Sequence, residues 1–132
     1  MPQFMLDTNV CVYVIKNHPE KLRERYNRFA EQIAISTVTL AELCYGAEKS
    51  RRRAENLKDI EAFASNLDIL SFSPSAAAHY GQLRAELVRR GRTIGPNDLL
   101  IAAHARAEGL VVVTNNAREF RRVPGLRVEN WV

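Results

Sequence analysis

The sequence predicts an α/β protein: a central, mainly parallel sheet flanked by helices on both faces. Three observations lead there. Short apolar runs recur between segments of helical spacing. Apolar strands alternating with helices imply a parallel sheet covered on each side. The stretch from Gly95 to Ala105, GPNDLLIAAHA, reads as a helix that is apolar on nearly every side and so belongs in a core.

Taken in order, Phe4-Met5-Leu6 is the first short strand, and Asp7-Thr8-Asn9 breaks it with three good cap or turn residues. Val10 to Ile15 follows as a buried helix, stopped by Lys16-Asn17-His18-Pro19. Glu20 to Glu31 is amphipathic, with Leu22, Tyr26 and Phe29 on one face. Ile33 to Ser36 is the second strand. Thr39 opens a helix that runs to about Lys49, and Glu48 to Arg53 is a charged junction. Another amphipathic helix carries Leu57, Ile60, Phe63 and Ala64 in register, and Asp68-Ile69-Leu70 is strand three. Ser73-Pro74 starts a long helix with Ala76, Tyr80, Leu83 and Leu87 at helical spacing, ending at Gly91. After the Gly95 helix, Leu110 to Val113 is the strongest strand in the chain. Thr114-Asn115-Asn116 ends it, Ala117 to Phe120 forms a helical turn, and Arg127-Val128-Glu129 is a last weak strand.

Bulk composition narrows the function classes. A chain of 132 residues suits one domain spanning 1–132. Its hydrophobic content of 46% argues against disorder. A net charge of +4 is mildly basic, compatible with a polyanionic partner. Cys11 and Cys44 form no CxxC pair and lie in apolar surroundings, as free buried thiols do in a reducing compartment. MPQFMLD shows no signal-peptide pattern, and no apolar stretch approaches the roughly 18 residues of a membrane span. A cytoplasmic protein with no membrane partner is expected. No Walker A loop, GxGxxG, GxSxG or HExxH occurs.

In open parallel sheets, ligands bind beyond the carboxyl ends of the strands. Asp7 follows strand one, Glu42 comes shortly after strand two, and Thr114 to Asn116 follow strand four. Asp98 enters from the first turn of its helix. Each acid also has a structural explanation. Asp7 can cap a helix, Thr39-x-x-Glu42 matches a capping box, and Asp98 can complement a helix dipole. In combination these explanations weaken, because carboxylates converging on one sheet edge repel each other. With a cation they make a hard oxygen-ligand site, of the kind Mg²⁺ prefers. His18, His79 and His104 lack metal-ligand spacing, which disfavours zinc. His104 reads as a core histidine. Arg84, Arg89, Arg90 and Arg92 cluster before the Gly95 stretch, either as phosphate grips or as a solvated face.

With MLDTNV, TLAEL, GPNDLLIAAHA and VVTNNAREF in this order, the chain resembles the PIN-domain ribonucleases, and more narrowly the VapC toxins of bacterial toxin–antitoxin pairs. The resemblance covers the whole chain and implies the three-layer PIN sandwich. The family's acidic pocket falls on Asp7, Glu42 and Asp98 as metal ligands. Its fourth position, commonly Asp, falls on Asn116, and its strand-four hydroxyl on Thr114. Asn9 and Glu119 are supporting candidates, Glu119 as a substitute ligand reaching back from a helical turn. The resemblance implies a Mg²⁺-dependent endoribonuclease, with Mn²⁺ able to substitute, acting by metal-assisted hydrolysis. It further implies a homodimer, a VapB-type antitoxin partner, and cleavage of initiator tRNA in the anticodon loop. Two rival readings stand beside it. A phosphatase of the haloacid dehalogenase type wants a second Asp where Asn9 stands. A catalytically inactive RNA- or partner-binding module on the same fold has Asn116 as its one support.

Overall fold

The computed structural model describes residues 1–132. Its elements, in order, are β1 (Phe4–Leu6), α1 (Thr8–Ile15), α2 (Glu20–Arg28), β2 (Ile33–Ser36), α3 (Thr37–Glu48), α4 (Arg53–Ala64), β3 (Asp68–Leu70), α5 (Pro74–Arg89), α6 (Pro96–Glu108), β4 (Val111–Val113), α7 (Ala117–Phe120) and β5 (Val128–Glu129). The five strands form one sheet in the order β3-β2-β1-β4-β5, and every neighbouring pair is parallel. The expected α/β architecture is therefore present, with a sheet that is wholly rather than mainly parallel.

Side-chain alternation along these strands divides the core in two. Phe4, Leu6, Ile33, Ile35, Val111 and Val113 pack with residues of α1 to α4. Met5 and Val112 face the other way, onto Leu83 and Leu87 of α5, Ile101, Ala102 and Ala105 of α6, and Phe120 of α7. Helices thus cover both faces, giving three layers. The chain order also creates a switch point. From β1 it runs outward through β2 and β3, then crosses back to place β4 on the other side of β1. The crevice between the carboxyl ends of β1 and β4 is where such sheets bind ligands.

Several local boundaries differ from the sequence expectation, each for a physical reason. α3 begins at Thr37 rather than Thr39, because Ser36 is the residue that caps it. The Ser36 hydroxyl oxygen accepts from the Val38 N–H at 3.0 Å. Thr39 is consequently inside the first turn and buried, so the capping-box explanation of Glu42 fails. α2 stops at Arg28, and a 3₁₀ turn over Ala30–Gln32 leads into β2. Phe29 leaves the helix register to pack on Phe4 and Trp131, at centroid distances of 5.1 and 5.6 Å. Cys11 is buried as expected, whereas Cys44 is only partly so; both are free. The long helix ends ahead of Gly91 as expected, and α6 ends at Gly109; each glycine takes a positive φ (64° and 69°) that favours its lack of a Cβ.

Trp131, the penultimate residue, is fully buried against Phe4 and Phe29. Its indole N–H donates to Glu129 Oε1 at 2.9 Å. The C-terminal segment thereby closes the layer formed by α1 to α4. Trp131→Ala is expected to lower unfolding free energy by about 3–5 kcal/mol, as removal of a buried large aromatic does. Urea denaturation followed by circular dichroism measures this without relying on the lost fluorophore, since Trp131 is the sole tryptophan. A loss below about 1 kcal/mol would show that the tail is peripheral to the core.

Candidate active site

The carboxyl end of β1 delivers Asp7 into the β1/β4 crevice. Asp7 is extended in backbone (φ −78°, ψ 173°) and caps α1, its Oδ1 accepting the Val10 N–H at 2.9 Å. Its Oδ2 accepts from the Thr114 hydroxyl at 2.5 Å. Thr114 follows β4, and its hydroxyl oxygen accepts the Asn116 N–H at 2.8 Å. Both Asp7 and Thr114 are buried. The cap explanation of Asp7 is thus correct for one oxygen, while the other ties β1 to the loop after β4.

Three further acids surround it. Glu42 projects from the second turn of α3, half-buried. Its Oε1 accepts from the Thr8 hydroxyl, and its Oε2 accepts from the Asn97 amide at 2.9 Å. Asp98 lies in the first turn of α6. Glu119 sits on the one turn of α7, where the Asn116 amide donates to its Oε2. The helical turn expected over Ala117 to Phe120 therefore does bring Glu119 back towards Asn116.

Electrostatics show that these acids sense one another. The Asp98 pKa is pushed up from 3.8 to about 6, first by burial and then by the charges of Asp7, Glu119 and Glu42. A hydrogen bond from Asn116 opposes that rise. Asp7 is also raised, mainly by burial, against which its bonds from Thr114 and Val10 work; the charge of Glu42 adds to the rise. Counting Glu119, the cluster carries four carboxylates, so the neutral Asn116 does not leave it short of charge.

No basic side chain offsets this charge. The ion pairs of the protein are Arg28–Glu24, Arg52–Glu55, Arg53–Glu48 and Arg90–Glu86, and none includes a residue of the cluster. A set of buried and half-buried carboxylate oxygens with no basic partner fits a hard divalent ion. No three His, Cys, Asp or Glu side chains close tightly enough to enclose an ion between them. Mg²⁺ does not require such an enclosure, since it retains several waters and takes one or two carboxylates directly.

The other sequence candidates fall in different places. Asn9 is exposed on α1 and makes no hydrogen bond to any of the four acids. His104 is fully buried, its Nδ1 2.8 Å from the Ser36 hydroxyl, as a core histidine should be. Burial lowers its pKa. Arg84 donates to the Tyr80 hydroxyl at 3.0 Å and Arg90 pairs with Glu86 at 2.8 Å. Arg89 and Arg92 are exposed and free of ion pairs. Thr8 and Asn97, which orient Glu42, went unread in the sequence. Each stands directly beside a site acid, Thr8 after Asp7 and Asn97 before Asp98, and that adjacency was the available signal.

The charge cluster has a testable cost to stability. Because the folded pKa of Asp98 lies above its ordinary value, native protein holds that proton more tightly than unfolded chain. Its contribution is therefore most favourable below about pH 4 and is lost as pH rises through about 6. A dipole interaction at the start of α6 favours the charged form by roughly 0.3–1 kcal/mol, yet the net shift is upward, so burial and repulsion win. In EDTA at pH 7, Asp98→Asn is expected to stabilise the protein by about 1 kcal/mol after allowance for solvent screening. The gain should vanish near pH 4. Urea melts at the two pH values test this, and a variant less stable than wild type at pH 7 would return Asp98 to a helix-start role alone.

Comparison with known proteins places the chain in a family. The model of the PIN domain matches residues 4–126. The chain is 56% identical over 131 residues to the tRNA(fMet)-specific endonuclease VapC of Shigella flexneri, covering 99% of each. It is 52% identical over 132 residues to Ribonuclease VapC2 of Haemophilus influenzae, covering 100% of each. Among solved structures, the DNA-bound VapBC of Salmonella typhimurium contains a chain that superposes with a TM-score of 0.96 at 54% identity, covering 100% of both chains. The fold, the placement of its acids at the switch point and these likenesses lead to one conclusion: the chain belongs to the PIN-domain family, among the VapC ribonucleases.

Proposed function

We propose that the chain is a Mg²⁺-dependent endoribonuclease, the toxin of a VapBC-type toxin–antitoxin pair, that cuts initiator tRNA in its anticodon loop. In this reading, residues 1–132 act as a single nuclease domain, work as a homodimer and are restrained by a VapB-type antitoxin. The observation that carries the activity is the cluster of four carboxylates with no basic partner at the β1/β4 switch point. Full-length likeness to a tRNA(fMet)-specific endonuclease supports the substrate. Solved VapBC complexes of Salmonella typhimurium and Rickettsia felis support the partner. No helix is long and apolar enough to cross a membrane.

Asp7 and Asp98 would hold the ion, with Glu42 touching it directly or through water. A bound Mg²⁺ polarises the phosphodiester and lowers the pKa of an attacking water. The residues of the chain supply the rest. Thr114 and the Val10 N–H fix the Asp7 carboxylate in one orientation. Thr8 and Asn97 do the same for Glu42. Asn116 donates to Glu119 and Asp98, spacing two acids that would otherwise repel. Single-stranded or looped RNA suits such an open site, because its backbone can bend towards the acids. Arg89 and Arg92, free of ion pairs, are the candidates for gripping phosphates beyond it.

Glu42→Gln separates ligand from structural roles. The amide keeps an acceptor for Asn97, and its NH₂ can donate to Thr8, so stability should stay within about 0.5 kcal/mol of wild type. Cleavage with Mg²⁺ should fall at least about 100-fold, since even outer-shell partners cost 10–100-fold. Near-normal cleavage by this variant would remove Glu42 from the site. EDTA should abolish wild-type cleavage and added Mg²⁺ restore it; cleavage that persists in EDTA contradicts the metal requirement.

Neutralising the free arginines tests the phosphate grip. For Arg89→Ala with Arg92→Ala, the slope of log affinity against log salt should flatten by about 0.7 for each lost contact with single-stranded RNA. An unchanged slope would mean that these side chains serve solvent or a protein partner.

A further inference from the structure

Beyond the acids, one part of the surface has the chemistry of a nucleobase platform. Tyr45 is 66% exposed, the largest exposure of any aromatic residue in the protein. It lies one turn beyond Glu42 on α3, about 4.5 Å along the helix axis. Lys49, a further turn on, places its ammonium 4.8 Å from the centre of the Tyr45 ring. That contact backs the ring with positive charge and still leaves it widely open to solvent. An open trough of about 570 Å³ joins the two features, lined by Thr8, Glu42 and Asn97 at one end and by Tyr45 and Lys49 at the other. Neither Lys49 nor the nearby Arg51 takes part in an ion pair.

From this arrangement we infer that the Tyr45 ring stacks an unpaired base of the RNA strand lying in the active site, while Lys49 meets the adjoining phosphate. Several features point to a nucleotide rather than a protein segment. The trough reaches Glu42, one of the carboxylates that would face the scissile phosphate. Its far end is cationic and matches a polyanion. An exposed aromatic face beside a cation is the means by which proteins hold single strands without reading their sequence. Loop nucleotides, unstacked and splayed outward, are the RNA elements able to use it. This inference rests on the nuclease reading above and adds to it a binding subsite on α3.

The test uses cleavage of the initiator-tRNA anticodon stem-loop with Mg²⁺ by wild type, Tyr45→Phe, Tyr45→Ala and Lys49→Ala, with the solution mass of each protein measured. Tyr45→Ala should raise KM about 5- to 150-fold, the range of one base–aromatic stack, with kcat held within about threefold. Tyr45→Phe should retain wild-type KM, since the ring and not the hydroxyl does the stacking. Lys49→Ala should raise KM less and flatten its salt dependence. An unchanged KM in Tyr45→Ala overturns the platform while leaving the nuclease reading intact. A change of oligomeric mass in Tyr45→Ala also overturns it, and makes this face a protein interface. Failure of wild type to cut any RNA defeats the nuclease reading and the platform with it.

Discussion

Asp7 sits where β1, β4 and α1 meet, and its two carboxylate oxygens accept hydrogen bonds from different parts of that junction. One oxygen satisfies the start of α1 through Val10; the other takes the Thr114 hydroxyl after β4. The parallel pairing of β1 with β4, in register from Phe4–Val111 to Leu6–Val113, sets those two groups side by side. This buried acid is both a structural cap and the innermost member of the charge cluster. The fold tolerates it because two donors stabilise the carboxylate against the rise that burial imposes.

The rest of the site is arranged around that fixed point by the helices. α3 and α6 enter from opposite layers of the sandwich, and each brings an acid to the same edge within its first two turns. Asn97, on the first turn of α6, reaches across to Glu42 of α3, so the two helices are joined through the site itself. Deeper down, His104 of α6 contacts Ser36, the cap of α3, and repeats that link within the core. The separation of Glu42 from Asp98 is therefore held at two levels. Such bracing holds like charges together, and burial followed by those neighbouring charges raises the Asp98 pKa.

Much of this was legible in the sequence because burial and helix starts leave strong local patterns. The Gly95 helix, the apolar strands and three of the four acids announced themselves through Pro96, through apolar runs and through position after strand ends. What could not be read depends on contacts distant in the chain. Ser36, not Thr39, caps α3, although Ser36 is also the last strand residue, and its hydroxyl meets His104 as well as the Val38 N–H. Thr8 and Asn97 are unremarkable polar residues until Glu42 lies between them. Trp131 lies beyond the last strand, and its burial requires Phe4 and Phe29 to be brought together first. The sequence alone offers Glu119 only as a substitute ligand. The α7 turn adds it as a fourth carboxylate, held by the Asn116 amide.

In the proposed reading these acids hold a divalent ion at the β1/β4 crevice. Its most direct test is anomalous X-ray scattering from crystals of the protein grown with Mn²⁺. The account predicts a single strong peak bound by Asp7 and Asp98 at about 2.0–2.2 Å, near the distances expected of a hard octahedral ion, with Glu42 in the same coordination shell or one water removed. A peak elsewhere on the protein, or a crevice empty of Mn²⁺ at millimolar concentration, would contradict it.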